Sequence, residues 1–245
     1  MINKHKLHST ALISIAIALI LVSIAGAAPF AYITNEFSDT VSIIDTTTDT
    51  VTSTVYGLNG PFGVTVTPDG TKVYVTNTGR NKISVINTTM NTVSTTVSVG
   101  GNTMGIAVTP DGTKVYVANS AHPGTVSVIN TSSNTVTATV PVESDPWGVA
   151  ITPDGKKVYV THSSASSHKV SVIDTTTNNV ITTVHVGRWP GGVAITPDGT
   201  KAYVANGIDG VISIIDTATD NITANVTVGE VPVGVAVSPD EKKSM

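Results

Sequence analysis

The feature that most constrains this chain is a repeat. Thr67-Pro68-Asp69-Gly70 recurs as Thr109–Gly112, Thr152–Gly155 and Thr196–Gly199, and a degenerate copy stands at Ser238-Pro239-Asp240-Glu241. The prolines fall at 68, 110, 153, 197 and 239, giving spacings of 42, 43, 44 and 42 residues. A tyrosine (Tyr32, Tyr74, Tyr116, Tyr159, Tyr203) keeps the same period, and so does an Asp or Asn (Asp45, Asn87, Asn130, Asp174, Asp216). Three markers in phase point to stacked copies of one supersecondary unit.

Within a unit the order is constant. Gly63–Val66 is a short apolar run, strand A. Thr67–Gly70 is a turn, with Pro fixing φ and Gly free to take positive φ. Lys72–Asn77 and Lys82–Ile86 alternate with period two and are strands B and C. Asn87–Asn91 is a second turn, and Thr92–Val97 is strand D. Branched Val, Ile and Thr suit the pleated surface of a strand. Four short strands every ~40–45 residues describe the blade of a β-propeller. The expected fold is therefore all-β, a propeller of about five four-stranded blades. The chain enters at a B strand, Phe30–Asn35, and reaches a lone A strand at Gly234–Val237. Pairing of these two is expected to close the ring and remove its exposed edges.

The tetrapeptides Tyr-Ile-Thr-Asn at 32–35, Tyr-Val-Thr-Asn at 74–77 and Tyr-Val-Ala-Asn at 116–119 and 203–206 resemble the YVTN β-propeller repeats. Val-Ser-Val-Ile-Asp at 170–174 and Gly-Val-Ala-Ile-Thr-Pro-Asp-Gly at 148–155 and 192–199 complete the pattern, which runs over residues 30–240. The resemblance is to archaeal surface-layer proteins and other exported propellers. It implies a usual count of seven blades, two more than the repeats here, and a surface or extracellular role.

Residues 1–27 stand apart. Lys4, His5, Lys6 and His8 precede an uncharged, mostly apolar stretch from Ala11 to Ala25, followed by Gly26 and Ala27. A basic start, an apolar stretch of about fifteen residues and a small-residue end form a secretory signal, shorter than the roughly 20 residues that span a bilayer. Residues 28–245 are then the propeller. Membrane attachment is expected only if the N-terminal segment is retained. Without that segment 11 basic residues face 17 acidic ones. That balance disfavours nucleic acid, whose affinity for proteins rests on neutralised phosphates. The chain has no cysteine, which removes disulfides and thiolate chemistry.

The A strands read Val64-Thr65-Val66, Ile106-Ala107-Val108, Val149-Ala150-Ile151, Val193-Ala194-Ile195 and Val235-Ala236-Val237. None brings an acid, base or metal ligand to the axis. The expectation is thus a protein that is not an enzyme and needs no cofactor: an extracytoplasmic binding or structural module with a protein or glycan partner at the cell envelope. The alternatives are a propeller lactonase and a metal- or haem-associated propeller, the last requiring His122, His162 and His168 to converge. The loops between D and A vary most, carrying Phe62, Met104, Trp147, Arg188, Trp189 and Glu230. Large amphipathic side chains on a rigid rim suit recognition, and these six are the candidate binding residues, expected to gather at one axial opening. Asn87, Asn130, Asn221 and Asn225 head Asn-X-Ser/Thr glycosylation sequons.

Overall fold

The structure, a computed structural model, describes residues 29–164 and 168–239. The predicted export segment, 1–27, lies outside them. Among the described residues nineteen strands form five antiparallel meanders, each joined in chain order. Sheet one holds β1 (Phe30–Asn35), β2 (Thr40–Asp45) and β3 (Thr50–Val55). Sheet two holds β4 (Pro61–Val66), β5 (Lys72–Asn77), β6 (Lys82–Asn87) and β7 (Thr92–Ser98). Sheet three holds β8 (Asn102–Val108), β9 (Lys114–Ser120), β10 (Gly124–Asn130) and β11 (Thr135–Val142). Sheet four holds β12 (Pro146–Ile151), β13 (Lys157–His162), β14 (Lys169–Asp174) and β15 (Asn179–His185). Sheet five holds β16 (Pro190–Ile195), β17 (Lys201–Asn206), β18 (Val211–Asp216) and β19 (Asn221–Thr227).

The repeat markers explain the turns. In the A–B turn the Gly70 N–H reaches the Thr67 carbonyl at 2.8 Å, with Gly70 at φ 70°. Thr67 Oγ1 donates to Asp69 at 2.6 Å and the Thr71 N–H adds a bond at 3.0 Å. In the C–D turn Asn87 Oδ1 accepts the N–H groups of Thr89 and Met90, both at 3.0 Å. The A–B turn bonds hold the Asp69, Asp111 and Asp154 carboxyls below the ordinary carboxylate range, and Asp198 at about 2. These aspartates serve the turns.

Each seam between sheets is an apolar layer. Tyr32, Val41, Ile43 and Val55 of sheet one pack on Val64, Val73, Val75 and Ile86 of sheet two, and three further clusters repeat the arrangement to sheet five. The innermost strands touch in succession, β4 on β8, β8 on β12 and β12 on β16.

Ring closure is where the structure corrects the sequence. Sheet one has three strands, and Gly234–Val237 is not a strand paired with β1. The segment lies at the far end of the row, where the Gly192 N–H donates to the Val233 carbonyl at 2.6 Å. It occupies the place of an innermost strand of a sixth sheet. The five sheets form an open row because this A segment packs on the preceding sheet and, among the described residues, has no B strand of its own.

Candidate functional site

The inner strands begin with an irregularity. Register shifts separate Pro61 from Val64, Thr103 from Ile106, Pro146 from Val149 and Pro190 from Val193. The two residues in each bulge are Phe62-Gly63, Met104-Gly105, Trp147-Gly148 and Gly191-Gly192. Phe62, Met104 and Trp147 therefore stand on strands rather than in the loops expected for them. The glycines have a steric reason. A Cβ on Gly63 would meet the Met104 carbonyl at 2.6 Å, and one on Gly148 the Gly191 carbonyl at 2.7 Å. In the same place the Gly63 N–H donates to Thr76 Oγ1 at 2.7 Å, which donates on to Met104 O at 2.9 Å. Gly148, Thr161 and Gly191 O repeat the relay at 2.8 and 2.6 Å. The threonine of the Tyr-Val-Thr-Asn motif thus ties one inner strand to the next.

This stitching fixes the residue before each glycine at one mouth of the row. The Phe62 and Trp147 rings meet edge to face, centroids 5.3 Å apart. Met104, between them in the row, is buried. Sheet five has Gly191 in the equivalent place, and the missing side chain leaves a small apolar cleft lined by Trp147, Trp189, Gly191, Gly207, Pro232, Val233 and Ser163. Both tryptophans of the chain share this cleft. Trp189, at φ 57°, also walls a neighbouring groove that runs past Asp209 to Glu230 and Val231. Arg188 is committed elsewhere, its Nε on Asp209 Oδ1 at 2.6 Å and its backbone N–H on the other carboxylate oxygen at 2.6 Å. Of the six rim residues, five thus bear on one mouth, and Arg188 braces its loop.

Ionisable groups surround the same end. His122 Nε2 lies 3.4 Å from Asp145 Oδ1, the imidazole exposed and the carboxylate half-buried. Asp145 is two residues from Trp147, and its carbonyl accepts the N–H of the cleft residue Ser163 at 2.9 Å. Glu143 pairs with Lys169 at 2.6 Å, which holds its carboxyl below the usual range. His162 is the last residue of β13 and fully buried. It replaces the repeat asparagine: Nδ1 lies 3.2 Å from Ser144 O, which assigns the proton there, and Nε2 accepts from Ser171 Oγ at 2.8 Å. Burial lowers its pKa. The three histidines considered as ligands do not converge, and among the described residues no three His, Asp or Glu are placed to hold a metal. The sequon residues lie outside the mouth. Asn87 and Asn130 head C–D turns, while Asn221 and Asn225 are exposed on β19.

A family model described as "Lactonase, 7-bladed beta-propeller" matches residues 24–144, just under half of the chain. Among solved structures, a chain of Kuenenia stuttgartiensis hydrazine synthase is similar, with 21% identity over 86% of this chain and 87% of that one, at a TM-score of 0.67. A functionally unknown protein from Desulfotomaculum acetoxidans is similar with 21% identity over 86% of this chain and 69% of that one, at a TM-score of 0.75. No curated protein matches the chain significantly. The fold is that of a β-propeller. The family match corrects two expectations. A protein with no enzymatic role is overturned, because the matching family is a lactonase. The blade count differs too, seven in that family against five sheets here.

Sequence reasoning misses the His122–Asp145 pair and the opening at Gly191. The first joins two loops that no spacing relates. The second is visible on superposing Pro61-Phe62-Gly63 on Pro190-Gly191-Gly192.

Proposed function

We propose that this propeller is a small-molecule hydrolase of the lactonase type, working at the mouth beside Trp147 and Trp189. The observation that carries the reading is the His122–Asp145 pair, tied to the apolar cleft through the Ser163 N–H on the Asp145 carbonyl, supported by the family match. The inner strands supply no acid or base, so the chemistry belongs to the rim. A lactone is a compact neutral ring and suits aromatic walls. His122, with Asp145 Oδ1 3.4 Å from its Nε2, takes a proton from water through Nδ1. Hydroxide adds to the lactone carbonyl, the ring C–O bond breaks, and the imidazolium returns its proton to the departing alkoxide. The apolar walls keep competing water from the ring substituent.

The test is hydrolysis of a panel of neutral lactones with graded apolar substituents. His122→Gln should lower kcat by roughly 10²–10⁴-fold, and Trp147→Ala and Trp189→Ala should mainly raise KM. Failure to open any lactone, or full activity in His122→Gln, contradicts the reading. We also propose that the protein acts outside the cytoplasm, on the strength of the residue pattern of 1–27. Recovery only in the cytoplasmic fraction with that segment intact would refute this.

A further inference from the structure

The joints between sheets follow one rule, and the two ends of the row carry its unmatched halves. From sheet two onward, the lysine and tyrosine of a B strand reach the C–D turn of the next sheet. Lys72 Nζ donates to Thr131 O at 2.5 Å and Tyr74 Oη to Asn134 Oδ1 at 2.6 Å. Lys114 and Tyr116 meet Thr175 O and Asn178 Oδ1 at 2.7 and 2.8 Å. Lys157 meets Thr217 O at 2.7 Å and Asp220 Oδ2 at 2.8 Å, and Tyr159 meets Asp220 Oδ1 at 2.5 Å. The next pair in the series is Lys201 and Tyr203 on sheet five, beyond which no described sheet lies. The turn that matches them is Asp45–Asp49 of sheet one, where Asp49 takes the positive φ (53°) shared by Asn134, Asn178 and Asp220.

The backbone shows the same mismatch. Pro232-Val233-Gly234-Val235-Ala236-Val237 has the pattern of Pro61–Val66 and lies against sheet five in the place of an inner strand, the Gly192 N–H donating to the Val233 carbonyl. Among the described residues it has no B strand of its own. Sheet one is a B–C–D sheet whose edge, β1, lacks an inner strand among the described residues. Thr34 Oγ1 donates to Phe62 O at 2.8 Å, but the glycine N–H that feeds the equivalent Thr76 has no described counterpart there.

We propose that a second copy of this chain supplies the match. Sheet one of one copy docks on the end of another, its β1 pairing with Pro232–Val237 so that three strands and one strand make a sixth blade. Transferring the register of sheet two sets Val235 opposite Ile33 and Pro232 opposite Asn35. Lys201 and Tyr203 of the first copy then meet Asp49 of the second, opposite charges brought together as in the Lys157–Tyr159–Asp220 joint. A second copy is favoured over the chain's own sheet one because, among the described residues, no substantial packing joins sheets five and one. The contact is head to tail, so it extends into a ring or a filament.

The chain has no cysteine, so engineered ones report cleanly. Ile33→Cys and Val235→Cys, made separately in the full chain, mixed and oxidised, should give a disulfide-linked dimer at a yield neither variant reaches alone. The double variant should give a ladder of linked multimers. Asp49→Lys and Lys201→Asp should each weaken association by roughly tenfold, and the two in one chain should restore it, as read by light scattering against concentration. An oxidised double variant that stays a linked monomer means that the ring closes on its own sheet one and overturns the proposal. A concentration-independent monomer with no cross-link overturns it as well.

Discussion

Asp220 shows what a single side chain does in this fold. It accepts from Tyr159 Oη at 2.5 Å and from Lys157 Nζ at 2.8 Å, with both charged groups mostly shielded from solvent (23% exposed for the lysine and 12% for the aspartate). Removing it leaves the Tyr159 hydroxyl without its partner and Lys157 with the Thr217 carbonyl alone, so Asp220→Ala should cost about 1–3 kcal/mol in urea unfolding. Asp220→Asn should cost less than about 1 kcal/mol, because Asn134 and Asn178 fill the same place in other joints. Burial also pushes the Tyr74 and Tyr116 hydroxyls up to about 12, so they remain donors at any ordinary pH. His162 is the other residue with a clear consequence. Its folded pKa lies below 6.5 because burial disfavours the imidazolium. The unfolded chain therefore takes up the proton first, and stability is present above pH 6.5 and falls as the pH drops below it. His162→Asn restores the repeat residue. The variant should lose less stability than the natural chain between about pH 7 and pH 5, when melting temperatures are compared.

At the scale of the element, the inner strand is the unit that organises the molecule. Its glycine admits the backbone of the next sheet: a Cβ on Gly148 would stand 2.7 Å from Gly191 O and 2.9 Å from Thr161 Oγ1. Gly148→Ala should destabilise by about 1–3 kcal/mol, as overpacking does. Gly229→Ala, where a Cβ meets nothing within 4 Å, should be nearly neutral. Strand positions and both turn types were legible from the sequence because they depend on local chemistry, Pro and Gly in one turn, Asp or Asn in the other. The meeting of Phe62 and Trp147 at one mouth follows from the repeat, since equivalent positions come together, whereas Trp189 reaches the cleft from the residue before Pro190. The seat of Gly234–Val237 was not legible. Its sequence fits two partners equally, and the choice between its own sheet and its neighbour is a matter of tertiary contact. The His122–Asp145 pair was hidden for a related reason: each residue is an exception in its own loop.

At the scale of the whole molecule, the aspartates of the A–B turns act as a group. Asp69, Asp111, Asp154 and Asp198 are all depressed, the last to about 2 from 3.8. Carboxylates depressed in the fold stabilise it above their unfolded pKa, and that contribution is lost as the pH falls through the folded one. A second acid transition is therefore expected between pH 3.8 and about 2, separate from that of His162, and Asp198→Asn should shrink it. The opposite face, the mouth, carries the functional claim. Its two tryptophans are the only ones in the chain, so intrinsic tryptophan fluorescence reports the cleft alone. The most direct test is to titrate the protein with a neutral lactone bearing an apolar substituent and follow tryptophan emission. A saturable change is expected, with Trp189→Ala weakening the apparent affinity by about 1–3 kcal/mol. Emission that stays unchanged across the lactone series, in a protein that opens none of them, would contradict it.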